Sequence, residues 1–169
     1  MVAAWRRCLV GMVALIFALV TIATFAAVAP TPVWAADYNE QDLTGFDFSG
    51  QDLTDASFNR TNLRSANLSH ANLAGVSLFG AILEHTNLEG ADLRYATLDK
   101  ARFLGADLTN ALLEGAYAFN AKFRGTTVDG ADFTDVFLRE DDRVQLCTIA
   151  TGTNPITGRD TRETLYCDY

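Results

Sequence analysis

The stretch ANLSHANLAG, residues 66–75, states one phrase twice at an interval of five: Ala, Asn, Leu, two variable residues, then again. Carrying that register from Leu43 to Leu138 gives twenty positions, and eighteen of them are Leu or Phe, with Ala118 and Val128 the exceptions. Elsewhere between 41 and 140 these residue types occur only as Phe46, Phe79, Leu104, Leu112, Phe119 and Phe137. A period of five suits neither common element. On an α-helix it rotates each Leu by about 140° from the last and leaves no apolar face. On a strand five is odd, so successive Leu residues would point to opposite sides.

Two further columns sharpen the pattern. Two places before each centre stands Ala in twelve of the twenty units, with Thr61, Thr86, Thr126, Val76 and Val136 as near-equivalents. Two places after each centre stand all nine glycines found between 41 and 140, sharing the column with Asp55, Asn110, Asn120 and Asp135. These are the residues that best tolerate turn conformations. Each unit therefore offers a large apolar residue, a small one and a corner. A chain that turns at every fifth residue and always points Leu inward must coil around its own core, which predicts a solenoid.

The units ANLSH, ANLAG, ADLRY and ADLTN follow A(D/N)LXX, and residues 41–140 thereby resemble the pentapeptide-repeat proteins. The resemblance implies an all-β solenoid: a right-handed quadrilateral β-helix with four pentapeptides per coil and about five coils. At the spacing of stacked strands that is about 24 Å tall. It also implies that the centre and the small residue two before it point inward, and that residues twenty apart lie one above another. Gln41, Phe46 and Gln51 depart from the small-residue column, and Phe46 with Tyr38 is expected to plug that first mouth. Past the repeats, DDRVQLC (141–147) and DTRETLYC (160–167) read as short helices, the second with a capping box formed by Asp160 or Thr161 and Glu163. The tail at 147–167 also resembles the C-terminal segment of exported, thylakoid-lumenal members of cyanobacteria and chloroplasts. The expected organisation is an export signal at 1–35, the β-helix at 36–140 and a disulfide-stapled helical C-terminal cap at 141–169.

The first 35 residues stand apart from the rest. MVAAWRRC is basic, Leu9 to Ala29 is an unbroken apolar run, and Val33-Trp34-Ala35 offers a signal-peptidase site. The run is also long enough to span a bilayer, so an uncleaved anchor is the alternative. Arg6-Arg7 leaves twin-arginine and general secretory routes both open, and the destination is the thylakoid lumen or the periplasm. Cleavage would remove two arginines and no acid, taking the formal charge from −8 to −10. Such a surface argues against nucleic-acid phosphates or anionic lipid as partners. Of three cysteines, Cys147 and Cys167 would remain, and in an exported protein they most simply read as one disulfide. Its loop of about 21 residues is rated at about 3 kcal/mol by the chain-entropy model. A redox-active or metal-binding pair is the alternative, although there is no CxxC and neither His70 nor His85 is near in sequence.

No catalytic, cofactor or metal constellation emerges, and the protein reads as a non-enzyme. With four-sided coils His70 and His85 fall on different corners, and no serine has a histidine and an acid column beside it. Asn62, Asn67, Asn72 and Asn87 are expected to form amide ladders on the outer wall. An acidic DNA mimic acting on a topoisomerase would need continuous carboxylate columns. Instead Asp52, Asn72, Asp92, Leu112 and Asp132 alternate, and Arg102, Lys122 and Arg124 gather on another face. One wall carries Phe79, Tyr117, Phe119 and Phe137 around the core position where Ala118 replaces Leu. Either Tyr117 or Phe119 turns inward beside Ala118 while the C-terminal helices cover Phe137, or the aromatics form an exposed patch that docks an unknown protein partner. The functional expectation is a scaffold or protein-interaction module. A DNA mimic and a redox-responsive regulator acting through Cys147 and Cys167 are the alternatives.

Overall fold

A computed structural model describes residues 36–167, which lie within the compact unit Trp34–Tyr169. The expected export signal and its cleavage site lie outside the described residues.

Each pentapeptide closes a tight turn. The N–H four residues after the bridging position bonds back to the central carbonyl, as Phe46 N–H does to Leu43 O at 3.1 Å and Ala71 N–H to Leu68 O at 3.1 Å. The residue at the corner adopts a left-handed conformation, whether it is Gly75 (φ 73°) or His70 (φ 57°). That conformation is why glycine fills the column so often. The corner N–H then points along the solenoid axis and bonds to the next coil, for example Gly75 to Arg94 O at 2.8 Å.

Between coils, every parallel bridge joins residues twenty apart, in four ladders. The first wall runs through Asp37, Ser57, Ser77, Thr97, Tyr117 and Phe137; the second through Asp42, Asn62, Ile82, Arg102 and Lys122. The third runs through Asp47, Asn67, Asn87, Asp107 and Thr127; the fourth through Asp52, Asn72, Asp92, Leu112 and Asp132. Only one residue per wall is bridged in each coil, flanked by turns, so the walls are stacks of single bridges rather than long strands.

The two inward columns form the core. Leu63 through Leu98 in the central column are inaccessible, as are the alanines at 71, 81, 91, 96 and 101. Burying each such Leu contributes about 1.5–3 kcal/mol before chain entropy is set against it. The threonines in the small column stay satisfied while buried: Thr61, Thr86 and Thr126 donate to the carbonyls of Tyr38, Leu63 and Phe103 at 2.7, 2.7 and 2.8 Å. At the first mouth Tyr38 stacks on Phe58 at 4.9 Å and meets Phe48 edge-on at 5.6 Å, as expected of a plug. Phe46 does not share that role; it touches Phe48 but remains 55% exposed, because its coil has no earlier coil against it.

The expected amide ladders are mostly replaced by a local interaction. Asn62 and Asn67 do reach down to Asp42 and Asp47, at 3.0 and 3.1 Å. Far more often the Asp or Asn before each centre bends forward and accepts the N–H two residues on, which recurs along the described repeats from Asp37 to Asp132. The A(D/N)L signature thus encodes a side-chain cap on each corner, since short Asx side chains hold their own backbone best at that distance. Asp107 shows it fully, accepting from the N–H of Thr109 at 2.9 Å and from its hydroxyl at 2.6 Å. Asp107→Ala is expected to cost about 1 kcal/mol in chemical denaturation, while Asp107→Asn keeps an acceptor and costs less.

These caps also fix a pH response. Bonds from the Thr44 hydroxyl and then its N–H hold Asp42 below the ordinary carboxylate range, and the Ser49 N–H does the same for Asp47. Burial opposes ionisation most strongly at Asp92 and Asp132, but bonds from Arg94 and Thr134 outweigh it and leave both lowered. With folded values below unfolded ones, the unfolded chain binds more protons in acid. Stability is therefore full above about pH 4 and falls as pH drops through the folded values. Melting temperatures measured from pH 7 to pH 2 should be flat at first and then decline.

Two helices occur among the described residues, α1 (Glu140–Cys147) and α2 (Thr161–Thr164). Asp160 caps α2 by accepting the Arg162 N–H at 2.9 Å, the half of the expected capping box that the structure contains. Cys147 and Cys167 are joined by a disulfide with Cα atoms 5.5 Å apart. Leu146, Ala150 and Leu165 pack into the repeat core. Asn154 donates to Gly130 O at 2.8 Å and Asn110 O at 3.1 Å, and the Thr164 hydroxyl accepts the Phe133 N–H at 3.1 Å. Arg159 reaches Glu114 at 2.8 Å and the buried Asp132 at 3.2 Å. The tail is thus bonded to the last repeats along several sides.

Candidate interaction surface

Phe79, Tyr117, Phe119 and Phe137 all stand at outward positions of the first wall. The structure brings three of them together. Phe137 stacks on Tyr117 at 5.3 Å and on Phe119 at 5.2 Å, with interplanar angles of 13° and 24°. Tyr117 and Phe137 are adjacent rungs of one ladder, so ring stacking follows from the coil spacing. Phe79 is separate: it is half-buried beneath the Lys100 ammonium, 5.0 Å from its ring centre, in a cation–π contact.

Neither Tyr117 nor Phe119 turns inward, and the C-terminal helices do not cover Phe137. Their exposures are 46%, 38% and 52%. The turn geometry commits both positions flanking a centre to the outside, so they cannot fill space beside Ala118. Ala118 is nevertheless fully buried in a core where Phe103 and Phe123 stack at 5.1 Å and Phe133 meets Phe123 edge-on at 6.4 Å.

The corner next to this cluster is unusual. Asn120, unlike most corner residues, does not have a positive φ. Its N–H turns back to the preceding coil and bonds to Asp99 Oδ1 at 3.1 Å, with its amide on the same oxygen at 2.8 Å. Past that corner, Lys122 and Arg124 are exposed on the second wall. Earlier on the same wall Arg102 and Arg64 share Glu84, the latter at 3.0 Å. The association of these cations with the aromatics was missed in the sequence, although AYAFNAKFRG (116–125) contains both in consecutive units.

His70 and His85 sit at different corners, each over a glycine of the next coil, Gly90 and Gly105. Among the described residues no group of three or more His, Cys, Asp or Glu side chains is arranged to hold a metal ion. The two cysteines form the disulfide described above.

The family model for pentapeptide repeats matches residues 39–69, 71–110 and 98–135. A crystal structure of a pentapeptide repeat protein from the Arabidopsis thaliana thylakoid lumen superposes with a TM-score of 0.77 at 48% identity, covering 78% of this chain and 92% of that one. A second, from the cyanobacterium Cyanothece 51142, gives 0.59 at 28% identity over 61% of this chain and 84% of that one. Among curated proteins, the thylakoid lumenal 15 kDa protein 1 of Arabidopsis thaliana is 57% identical over 44 residues, which are 26% of this chain and 20% of that protein. The thylakoid lumenal protein TL20.3 of the same plant is 49% identical over 43 residues, 25% of this chain and 15% of that protein. These curated matches span a fifth or less of the relatives' own lengths. The neighbours imply a right-handed quadrilateral β-helix for the repeats, and the chain belongs to the pentapeptide-repeat family.

Proposed function

We propose that this protein is a non-enzymatic docking scaffold of an exported compartment, the thylakoid lumen. In this reading its β-helix of about five coils is closed by the disulfide-stapled C-terminal cap, and it binds a protein partner through the first wall. The observation that carries the reading is the exposed stack of Tyr117, Phe119 and Phe137 on a wall whose earlier rungs are Asp37, Ser57, Ser77 and Thr97. Stacked, backbone-anchored aromatics lose little freedom on binding and are the residues most enriched at the energetic centres of protein interfaces. The lumenal relatives support the compartment, and the apolar start of the chain supports export. A carrier role suits the fold, since regular turns and interlocked coils present side chains on a rigid frame.

The test is a crosslinked pull-down from the lumenal fraction, comparing the wild type with a Phe119→Ser, Phe137→Ser variant whose melting curve is unchanged. A partner captured by the wild type should drop at least about tenfold in the variant, as removing two interface aromatics requires. Equal capture would place the binding surface on another wall.

A further inference from the structure

We propose that the partner engages this protein through an acidic segment bearing apolar side chains, seated across the corner between the first and second walls. The inference rests on the docking reading above and adds the chemistry of the occupant. Its basis is a local reversal of charge. The chain as a whole is at −8, with 21 acidic residues. Along the two stacked stretches 99–102 and 117–124 the charged residues are Asp99, Lys100, Arg102, Lys122 and Arg124, a net of +3. Asp99 is occupied as the acceptor for Asn120. Arg102 is paired with Glu84. Lys122 and Arg124 are exposed and belong to none of the ion pairs formed among the described residues.

The placement of these cations matters more than their number. Phe119, Asn120 and Lys122 follow one another around a single corner, so the aromatic stack and the free cations border one continuous surface. Asp99 ties that corner to the coil below by two bonds to one oxygen, which fixes the angle between the two walls. An apolar side chain would cover the Phe119–Phe137 rings while neighbouring carboxylates meet Lys122 and Arg124. A basic segment would meet like charges there, and a neutral one would leave the two cations partly desolvated without partners. The remaining walls lack this combination: the fourth carries Asp52, Asp92 and Asp132, with Arg94 already bound to Asp92 at 2.5 Å.

The experiment uses the full chain and two fluorescein-labelled peptides, one alternating Glu with Phe and Leu, the other with Lys in place of Glu, read by fluorescence anisotropy. The acidic peptide is expected to bind and the basic one not, with affinity falling as salt rises. Lys122→Glu with Arg124→Glu, and separately Phe119→Ser with Phe137→Ser, should each weaken binding at least about tenfold. Arg94→Glu, on the fourth wall, should leave it unchanged, and melting curves confirm the fold of each variant. Absence of binding by the acidic peptide, or equal binding by the charge-reversed variant, overturns the inference. So does a concentration-dependent dimer that the same variants abolish, because a second copy would then be the occupant. The pull-down separates the two readings. A partner kept by the charge-reversed variant but lost by the aromatic variant removes the acidic segment and leaves the docking wall, whereas a partner kept by both removes the wall.

Discussion

Phe123→Ala is expected to destabilise the protein by about 3–5 kcal/mol, the range for emptying a buried aromatic site. Phe123 is 2% exposed and stands between two other rings, stacked on Phe103 at 5.1 Å and edge-on to Phe133 at 6.4 Å. Its coil already contains Ala118 and Val128 where other coils carry Leu or Phe, so little neighbouring bulk can collapse into the space. In a solenoid each coil contacts only its neighbours, so the loss should loosen the upper coils and the tail before the lower ones. Phe123→Leu keeps most of the volume and should cost less than half as much. Urea unfolding followed by circular dichroism reads both. A loss below about 1 kcal/mol for Phe123→Ala would mean that the ring stack does not fill the core as described.

Removing the disulfide should have the next largest effect. Cys147 and Cys167 close a loop of sequence separation 20, and opening it returns about 3 kcal/mol of chain entropy to the unfolded state. Leu146, Ala150 and Leu165 would then be held over the core only by packing and by the bonds of Asn154, Arg159 and Thr164. A Cys147→Ala, Cys167→Ala variant is expected to melt at lower temperature and to be cut by protease first between 148 and 160. Partner binding below the melting transition should be unchanged, because the aromatic cluster lies on the first wall and not on the tail. A redox-responsive regulator predicts the reverse, with binding altered on reduction while the melting temperature barely moves.

The architecture was legible because the pentapeptide period writes each residue's orientation directly into the chain. Leu at the centre, Ala two before and Gly two after specify inside, inside and corner with little dependence on distant residues. What periodicity could not reveal was where polar side chains spend their hydrogen bonds. Asn62 and Asn72 occupy equivalent places, each above an Asp of the coil below, yet Asn62 reaches Asp42 while Asn72 accepts the N–H of its own turn, a difference the five-residue period does not contain. The fate of Tyr117 and Phe119 was ambiguous for a similar reason. Ala118 marks missing volume, but the period does not say whether a neighbouring aromatic turns inward to replace it, and Tyr117 and Phe119 both stay outside. The cluster of Arg102, Lys122 and Arg124 was legible as one face of the sequence, but its adjacency to the aromatics became visible only when neighbouring walls could be traced around one corner.

Hydroxyl-radical footprinting of the protein with and without its captured partner tests the docking wall most directly, because Tyr and Phe side chains report their own solvent exposure. The docking reading predicts that Tyr117, Phe119 and Phe137 lose reactivity together on complex formation, while the exposed Tyr95 and Tyr166 keep theirs. Protection of Tyr95 or Tyr166 with the three stacked rings unchanged would contradict it.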